Sequence, residues 1–240
     1  MTIIWTRAAH NLPADRRIPA LQDHPVIWLP CTVQRGLDFT VPDLRGRRLI
    51  FTGATGVRYF LDQPTALGAL AEAAGCLTFG RQTAAYLENR GIPVTLEPAP
   101  GAEALGRILV ERDDRGPWHL VCPAVPAFDL YGFLQKAGFS VSRSIVYETT
   151  DPPPVPAPLL AQLRRAPPAP VCLASPSAVR GFLSILTGAG LDKGGFTAIV
   201  PGETTHQAAV AAGFRSIQVA GADMPGLARR ARQMSEKEED

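Results

Sequence analysis

The sequence predicts an α/β protein built from two parallel-sheet domains, related by internal duplication and joined by a two-stranded ribbon. Three observations carry that expectation. Short apolar runs alternate with amphipathic stretches along nearly the whole chain, the pattern of parallel strands connected by helices. The stretch Val171 to Leu183 repeats Leu49 to Leu61 at an offset of 122 residues, and the register continues without a gap: Arg58 meets Arg180, Phe60 meets Phe182, Gly80 meets Gly202, Thr83 meets Thr205 and Gly91 meets Gly213. Solenoid repeats are shorter and more numerous, so two large halves are the better reading. Lastly, alternating and proline-rich segments near 32–36 and 146–152 mark two passages of chain between domains, which makes one domain discontinuous. The expected boundaries are 1–32 with 152–240 for the first domain, 37–145 for the second, and 33–36 with 146–151 for the ribbon.

Residues 2–6 read as a strand ended by Thr6-Arg7, Ala8 to Gln22 as weakly amphipathic helix despite Pro13 and Pro19, and Val26 to Pro30 as a second strand. Thr32 to Asp43 alternates apolar with polar residues until Pro42, which suits a connecting ribbon. Arg48 to Thr52 is a strand, followed by helices from about Thr55 to Leu61 and Pro64 to Ala74. Cys76 to Phe79 is the next strand. Gln82 to Arg90 is a helix with Ala85, Tyr86 and Leu87 as its apolar face and Gly91 as its stop. Val94 to Leu96 and Trp118 to Cys122 are strands, and Ala102 to Arg112 and Phe128 to Ala137 are helices. Val141 to Thr149 alternates. The prolines of Asp151 to Pro158 exclude helix interior and central strand, so this is a stiff crossover.

Leu159 to Arg165 is a short helix, and Pro167 to Pro170 leads into the strand Val171 to Ala174. Ser175 is then a good helix cap and Pro176 suits the first helical position, where a missing N–H costs nothing. Phe196 to Val200 and Ser216 to Val219 are strands. Thr204 to Ala212 is a helix stopped by Gly213, and Pro225 to Met234 is the closing helix before a charged tail, Ser235 to Asp240, expected to fray.

A formal charge of +2 and a pI near 8.4, with no Lys/Arg stripe interleaved with aromatics, exclude a nucleic-acid reading. With 240 residues of which 46% are hydrophobic, the chain can fill well-packed cores. Cys31, Cys76, Cys122 and Cys172 form no CxxC pair and read as buried free thiols of a reducing cytoplasm. His10, His24, His119 and His206 are scattered away from ligand-spaced partners, so no metal is expected. Neither a secretory leader nor a membrane span is expected from the apolar runs.

In parallel sheets ligands gather beyond the carboxyl ends of the strands, which singles out the turns after Thr6, Thr52, Phe79, Ala174 and Val200. Helix N-termini there present free N–H groups and suit carboxylates. Ser175 and Ser177, and similarly Thr52 and Thr55, place hydroxyls at two such starts; plain capping is the favoured explanation of them, since Ser and Thr are preferred caps anyway. Gly202-Glu203-Thr204-Thr205 and its partner Gly80-Arg81-Gln82-Thr83 bring amides toward a ligand without the lysine of a phosphate loop. Tyr147, at the end of an alternating segment, can deliver a proton near the domain junction, or merely seal a hinge there. Arg7 is favoured over Arg58 and Arg180 for pairing with carboxylates, since the latter two sit within helices. No Ser/His/Asp set and no GxGxxG fingerprint can be found.

Taken in order, these stretches resemble the motifs of the uroporphyrinogen-III synthase family. Ile3 to Arg7 looks like the family's Thr-Arg-Pro strand end, Phe51 to Val57 like its Thr-Ser-x-x-x-Val turn, and Gly80 to Ala84 like its Gly-x-x-Thr-Ala loop. Ile145 to Thr149 is similar to its Val-Tyr-x-Thr element, Ala174 to Val179 to its Ser-Pro-Ser turn, and Ile199 to Thr205 to its Gly-x-Thr-Thr loop. Ala8 stands where the family usually has Pro, and Gly53 where it usually has a hydroxyl residue.

The resemblance implies two α/β domains, the first assembled from both chain ends, and a cytoplasmic lyase that needs no cofactor. Its substrate would be the linear tetrapyrrole hydroxymethylbilane: water leaves, an azafulvene forms, and the terminal pyrrole ring inverts through a spiro intermediate before closure to uroporphyrinogen III. Tyr147 would assist loss of the hydroxyl, and Thr83, Ser175, Thr204 and Thr205 would bind acetate and propionate groups. Arg7, Thr52, Thr55 and Ser177 complete the substrate-binding candidates, and closure of the domains would limit water access. A monomer is expected, with no nucleic acid or membrane partner. The alternative is a non-catalytic homologue that binds a carboxylated ligand or a protein partner.

Overall fold

The computed structural model describes residues 1–97, 99–152, 154–221 and 223–237, and their side chains apart from that of residue 237. Along it run β1 (Ile3–Trp5), α1 (Leu12–Asp15), β2 (Val26–Trp28), β3 (Val33–Gly36), β4 (Arg48–Phe51), α2 (Ala54–Leu61), α3 (Ala66–Ala71), β5 (Gly75–Thr78), α4 (Arg81–Glu88), β6 (Thr95–Leu96) and α5 (Ala102–Glu111). There follow β7 (Trp118–Pro123), α6 (Leu130–Lys136), β8 (Val141–Thr150), α7 (Ala157–Arg165), β9 (Ala169–Cys172), α8 (Pro176–Ala189), β10 (Phe196–Val200), α9 (Glu203–Ala211), β11 (Ile217–Val219) and α10 (Met224–Lys237). The chain divides into two units, Met1–Gln34 with Thr150–Asp240, and Arg35–Thr149.

The first unit is organised on a parallel sheet of order β11-β10-β9-β1-β2. Successive strand residues point to opposite faces, so each face needs its own cover. Ile4, Val171 and Ala198 turn to the side of α7, α8 and α9, where they join Val179, Phe182 and Ala209. Ile3, Trp5, Cys172 and Ile199 turn to the other side and pack on Leu227, Ala228 and Ala231 of α10.

The second unit repeats the plan in the order β3-β8-β7-β4-β5-β6, with β8, β7, β4, β5 and β6 all parallel. Leu49, Phe51 and Val121 meet Val57, Phe60 and Leu87 on one face. Ile50, Leu77, Trp118 and Leu120 meet Leu105, Leu109, Leu130 and Leu134 on the other.

The repeat seen in the sequence is a repeat of elements. Helices α2 and α8 begin at residues 54 and 176, α4 and α9 at 81 and 203, and α5 and α10 at 102 and 224, each pair 122 residues apart. Gly91 and Gly213, which end the middle pair, both adopt the left-handed conformation that favours glycine, with φ of 70° and 76°.

Three local expectations are corrected. Ala8 to Gln22 is not one helix: Pro13 and Pro19 divide it into 3-10 turns at Ala9–Asn11 and Pro19–Leu21 around the single turn of α1. The buried face of α4 is Thr83, Ala84 and Leu87 rather than Ala85 to Leu87, because positions three and four apart share a face and three consecutive ones do not. Pro170 lies inside β9 instead of before it, at a point where β10 pairs with the strand and β1 has not yet begun to. As for the tail, α10 runs on to Lys237, and residues 238–240 lie outside the described residues.

Helix α8 shows the logic of one element. Ser175 Oγ accepts from the Ala178 N–H at 3.2 Å, Pro176 opens the first turn, and Gly190 stops the helix in the left-handed region. Ala178, Val179, Phe182, Ile185 and Leu186 form its buried stripe. Gly181 lies in that stripe because the Cys31 carbonyl occupies the space: a Cβ there would sit 1.7 Å from the Cys31 oxygen. Gly181→Ala should therefore force helix and backbone apart and lower stability by about 3 kcal/mol or more, the upper range of overpacking. Urea unfolding of the variant checks this, and a loss below about 1 kcal/mol would show that the contact yields easily.

His119 is a buried polar group of the second sheet. Its Nδ1 meets Ser142 Oγ at 2.9 Å and its Nε2 meets Ser144 Oγ at 3.0 Å, which ties β7 to β8. Burial first, and repulsion by Arg47 second, push the imidazole from 6.5 down to about 4. The unfolded imidazole titrates near 6.5, so between pH 6.5 and about 4 only the unfolded chain takes up the proton. Stability from this group is whole above pH 6.5 and declines through that window, by about 3 kcal/mol at most. In His119→Gln the decline between pH 6.5 and about 4 should flatten in urea melts; an unchanged slope would assign it to other groups.

Candidate active site

Counted within its own unit, the first sheet has the strand order 2-1-3-4-5, and the second sheet, leaving out β3, has the order 3-2-1-4-5. Such orders reverse direction at one point and open a crevice there at the carboxyl ends of the strands. In the first unit that point lies between β1 and β9, where the Thr6 hydroxyl donates to the Cys172 carbonyl at 2.6 Å. In the second it lies between β4 and β7, where the Thr52 hydroxyl donates to the Val121 carbonyl at 3.2 Å. Threonine thus ties the strands together at both switch points.

Within the first unit the carboxyl edge carries Arg7, Ser175, Ser177, Thr204 and Thr205. Arg7 donates through Nη1 to Asp15 Oδ1 at 2.6 Å, and Asp15, buried, also accepts from the Trp5 indole at 2.9 Å. This couples the guanidinium to the core through a carboxylate that the sequence pattern does not single out. Ser175 caps α8, and its Oγ lies 2.9 Å from Ser177 Oγ, leaving both hydroxyls half-buried at the helix start. At the start of α9, Thr204 is exposed whereas Thr205 is buried on the underside of the first turn. His206 follows in that turn, and its Nδ1 is buried without a hydrogen-bond partner among the described residues.

Within the second unit the edge carries Thr52, Thr55, Thr83 and Tyr147. The parallel with Ser175 fails here: α2 has Gly53 at its cap with no side-chain bond, and Thr52 is committed to β7 instead. The absent hydroxyl at 53, visible in the sequence, leaves the cap N–H groups of α2 without a side-chain acceptor from the cap residue. Thr55 is half-buried in the first turn. Thr83, like Thr205 at the corresponding place, is the third residue of its helix and buried, with its hydroxyl toward Gly80.

Tyr147 stands opposite Pro123, the last residue of β7, just past a register shift in the β7–β8 ladder. Its carbonyl accepts from the Ala124 N–H at 2.8 Å, which anchors the loop after β7 beside it. The ring rests over Gly56 of α2 and stacks on Tyr59, with centroids 5.7 Å apart and planes 21° from parallel. Burial above all, then Cys122 and Tyr59, push its phenol up to about 12. The hydroxyl therefore stays protonated over the whole working range of pH and acts as a hydrogen-bond donor.

The cysteines supply no nucleophile. All four are free and buried, and burial raises the thiols, that of Cys76 to about 11. Among the described residues no group of three or more His, Cys, Asp or Glu side chains could hold a metal ion, and no helix is long and apolar enough to cross a membrane. A cavity of about 380 Å³ in the first unit, lined by Leu29, Pro30, Val33, Pro152 and Val155 among others, contains none of the candidate residues.

Comparison with known proteins bears on the fold and the family. The fold is similar to a crystal structure of uroporphyrinogen-III synthetase from Helicobacter pylori 26695, with a TM-score of 0.71 and 15% identity over 97% of this chain and 99% of that one. It is also similar to a mutant uroporphyrinogen III synthase from the extremely thermophilic bacterium Thermus thermophilus, with a TM-score of 0.61 and 15% identity over 99% of each chain. No curated protein sequence gives a significant match. The family model described as uroporphyrinogen-III synthase HemD matches residues 27–229, most of the chain and parts of both units, so this protein belongs to the uroporphyrinogen-III synthase family.

Proposed function

We propose that the chain closes hydroxymethylbilane to uroporphyrinogen III, with loss of water and inversion of the terminal pyrrole ring, and that Tyr147 assists departure of the hydroxyl. Family membership carries the reaction, and the protonated phenol at the carboxyl edge of the second sheet carries the role of Tyr147. A hydroxyl is a poor leaving group until it is hydrogen-bonded or protonated. A phenol raised to about 12 is a weaker acid than an ordinary tyrosine, but it stays neutral, so it can donate a hydrogen bond to the departing oxygen without becoming an anion that would capture the azafulvene. The same burial that holds the proton keeps bulk water from the reacting carbon.

The remaining candidates bind carboxylates in this reading. The first turns of α4 and α9 offer N–H groups and a positive dipole end, with Thr83 in one and Thr204 and Thr205 in the other. Ser175 and Ser177 do the same at α8, and Thr55 lies in the uncapped first turn of α2, while Thr52, whose hydroxyl already donates to the Val121 carbonyl, holds the turn beside it. Arg7 supplies the formal positive charge, steadied by Asp15.

Freshly prepared hydroxymethylbilane should give predominantly the type III isomer with this protein, against the spontaneous type I product without it, when products are separated by chromatography. Tight binding with no isomer bias would support a non-catalytic homologue instead. Tyr147→Phe should lower kcat by at least about tenfold, toward the hundredfold usual for an acid–base group, with KM little changed. Loss of the phenolic proton is the inactivating event, and it requires pH near about 12. The wild-type rate should accordingly show no phenol-linked fall at pH of about 10, where an ordinary tyrosine is half ionised; a fall there would place the working group elsewhere.

A further inference from the structure

We propose that Tyr59 is the positioning residue for Tyr147, setting the plane of the phenol ring through the stack between α2 and β8; this rests on the role given to Tyr147 above. The two rings lie nearly parallel at 5.7 Å, within the range in which offset aromatic pairs attract. Tyr59 is itself fixed from other directions. The Arg58 guanidinium lies over its ring at 4.5 Å, and the backbone of β3 comes so close at Gly36 that a Cβ there would stand 3.0 Å from ring atoms Cδ1 and Cε1. A ring clamped in this way offers Tyr147 a fixed surface, and the backbone anchor from Tyr147 to Ala124 removes further freedom.

The internal repeat supplies a comparison within one molecule. At the 122-residue offset, Tyr59 corresponds to Gly181 of α8. In the first unit, β2 occupies the place in the sheet that β8 holds in the second. There the helix meets the chain just beyond β2 through a glycine, with the Cys31 carbonyl where a side chain would be. Close backbone contact is thus a sufficient way to pack this helix against this strand. The second unit uses a pair of aromatic rings at the same place, and it is the unit that contains Tyr147. Packing alone does not require Tyr59, whereas orienting a phenol does.

Tyr59→Ala should lower kcat about tenfold, the scale of one stacked aromatic pair, with KM within about twofold of wild type, and Tyr59→Phe should restore kcat to within about twofold. A second readout follows the phenol directly. With tyrosine labelled at the ring carbon bearing oxygen, the Tyr147 resonance, assigned by its loss in Tyr147→Phe, should remain that of a neutral phenol at pH of about 10.5, where an ordinary tyrosine is largely ionised. In Tyr59→Ala it should shift toward the ionised position, because water reaches the exposed face, and in Tyr59→Phe it should not. Should Tyr59→Ala fail to fold, Gly36→Ala tests the same contact by displacing the Tyr59 ring, and the same split between kcat and KM is expected. A folded Tyr59→Ala with unaltered kcat and an unmoved resonance, alongside an impaired Tyr147→Phe, overturns the proposal. Full activity in Tyr147→Phe overturns instead the role of Tyr147.

Discussion

A parallel sheet covered on both faces leaves only its ends for chemistry, and the rest of this structure follows from that restriction. Ile50 and Leu49 are neighbours in β4, yet they belong to different cores, one shared with α5 and α6 and the other with α2 and α4. Trp5 and Ile4 are divided in the same manner between α10 on one side and α8 with α9 on the other. With both faces given over to apolar packing, polar side chains can face open space only where strands stop and helices start. The candidates lie at such places, except Tyr147, which stands within β8 opposite the last residue of β7, and the threonines at the two switch points also tie the strands that border them.

The two units achieve one spatial arrangement from different starting points in the chain. The order β8-β7-β4-β5-β6 and the order β2-β1-β9-β10-β11 are the same order of equivalent strands. In the second unit the pair β7 and β8 follows the repeated block, whereas in the first its counterparts β1 and β2 precede the other unit altogether. The repeat is therefore gap-free from β4 to α5 and from β9 to α10, and its remaining two strands are found at the opposite end of the chain. The two halves differ where α2 and α8 meet those outer strands, as the glycine at 181 and the tyrosine at 59 show.

Most of the element plan is legible in the residues, because period-two and period-3.6 apolar patterns are local consequences of burial. The turn from β9 through Ser175 and Pro176 into α8 can be read residue by residue. What cannot be read depends on contacts distant in sequence. Asp15 lies in a segment patterned like a solvated helix, and only the fold brings it under Trp5 and Arg7. His119 is apolar in its surroundings and polar in its bonds because two serines of the neighbouring strand face it. Thr52 resembles a capping hydroxyl by its position before a helix, but the carbonyl it reaches belongs to β7. The pairing of Tyr59 with Tyr147 has no counterpart in the repeat and hence no signal in it.

The position of β1 has a bearing on how the chain matures. β1 is an inner strand of its sheet, yet Thr6 bonds to a residue 166 positions away, so its neighbour β9 leaves the ribosome long after it. The contiguous stretch Arg35–Thr149 is complete by then and can condense on its own, while the apolar residues Ile3, Ile4 and Trp5 wait beside β2 with one flank unpaired. Synthesis from amino to carboxyl end thus completes the inserted unit before Ile3 to Trp5 can gain β9 as their second neighbour.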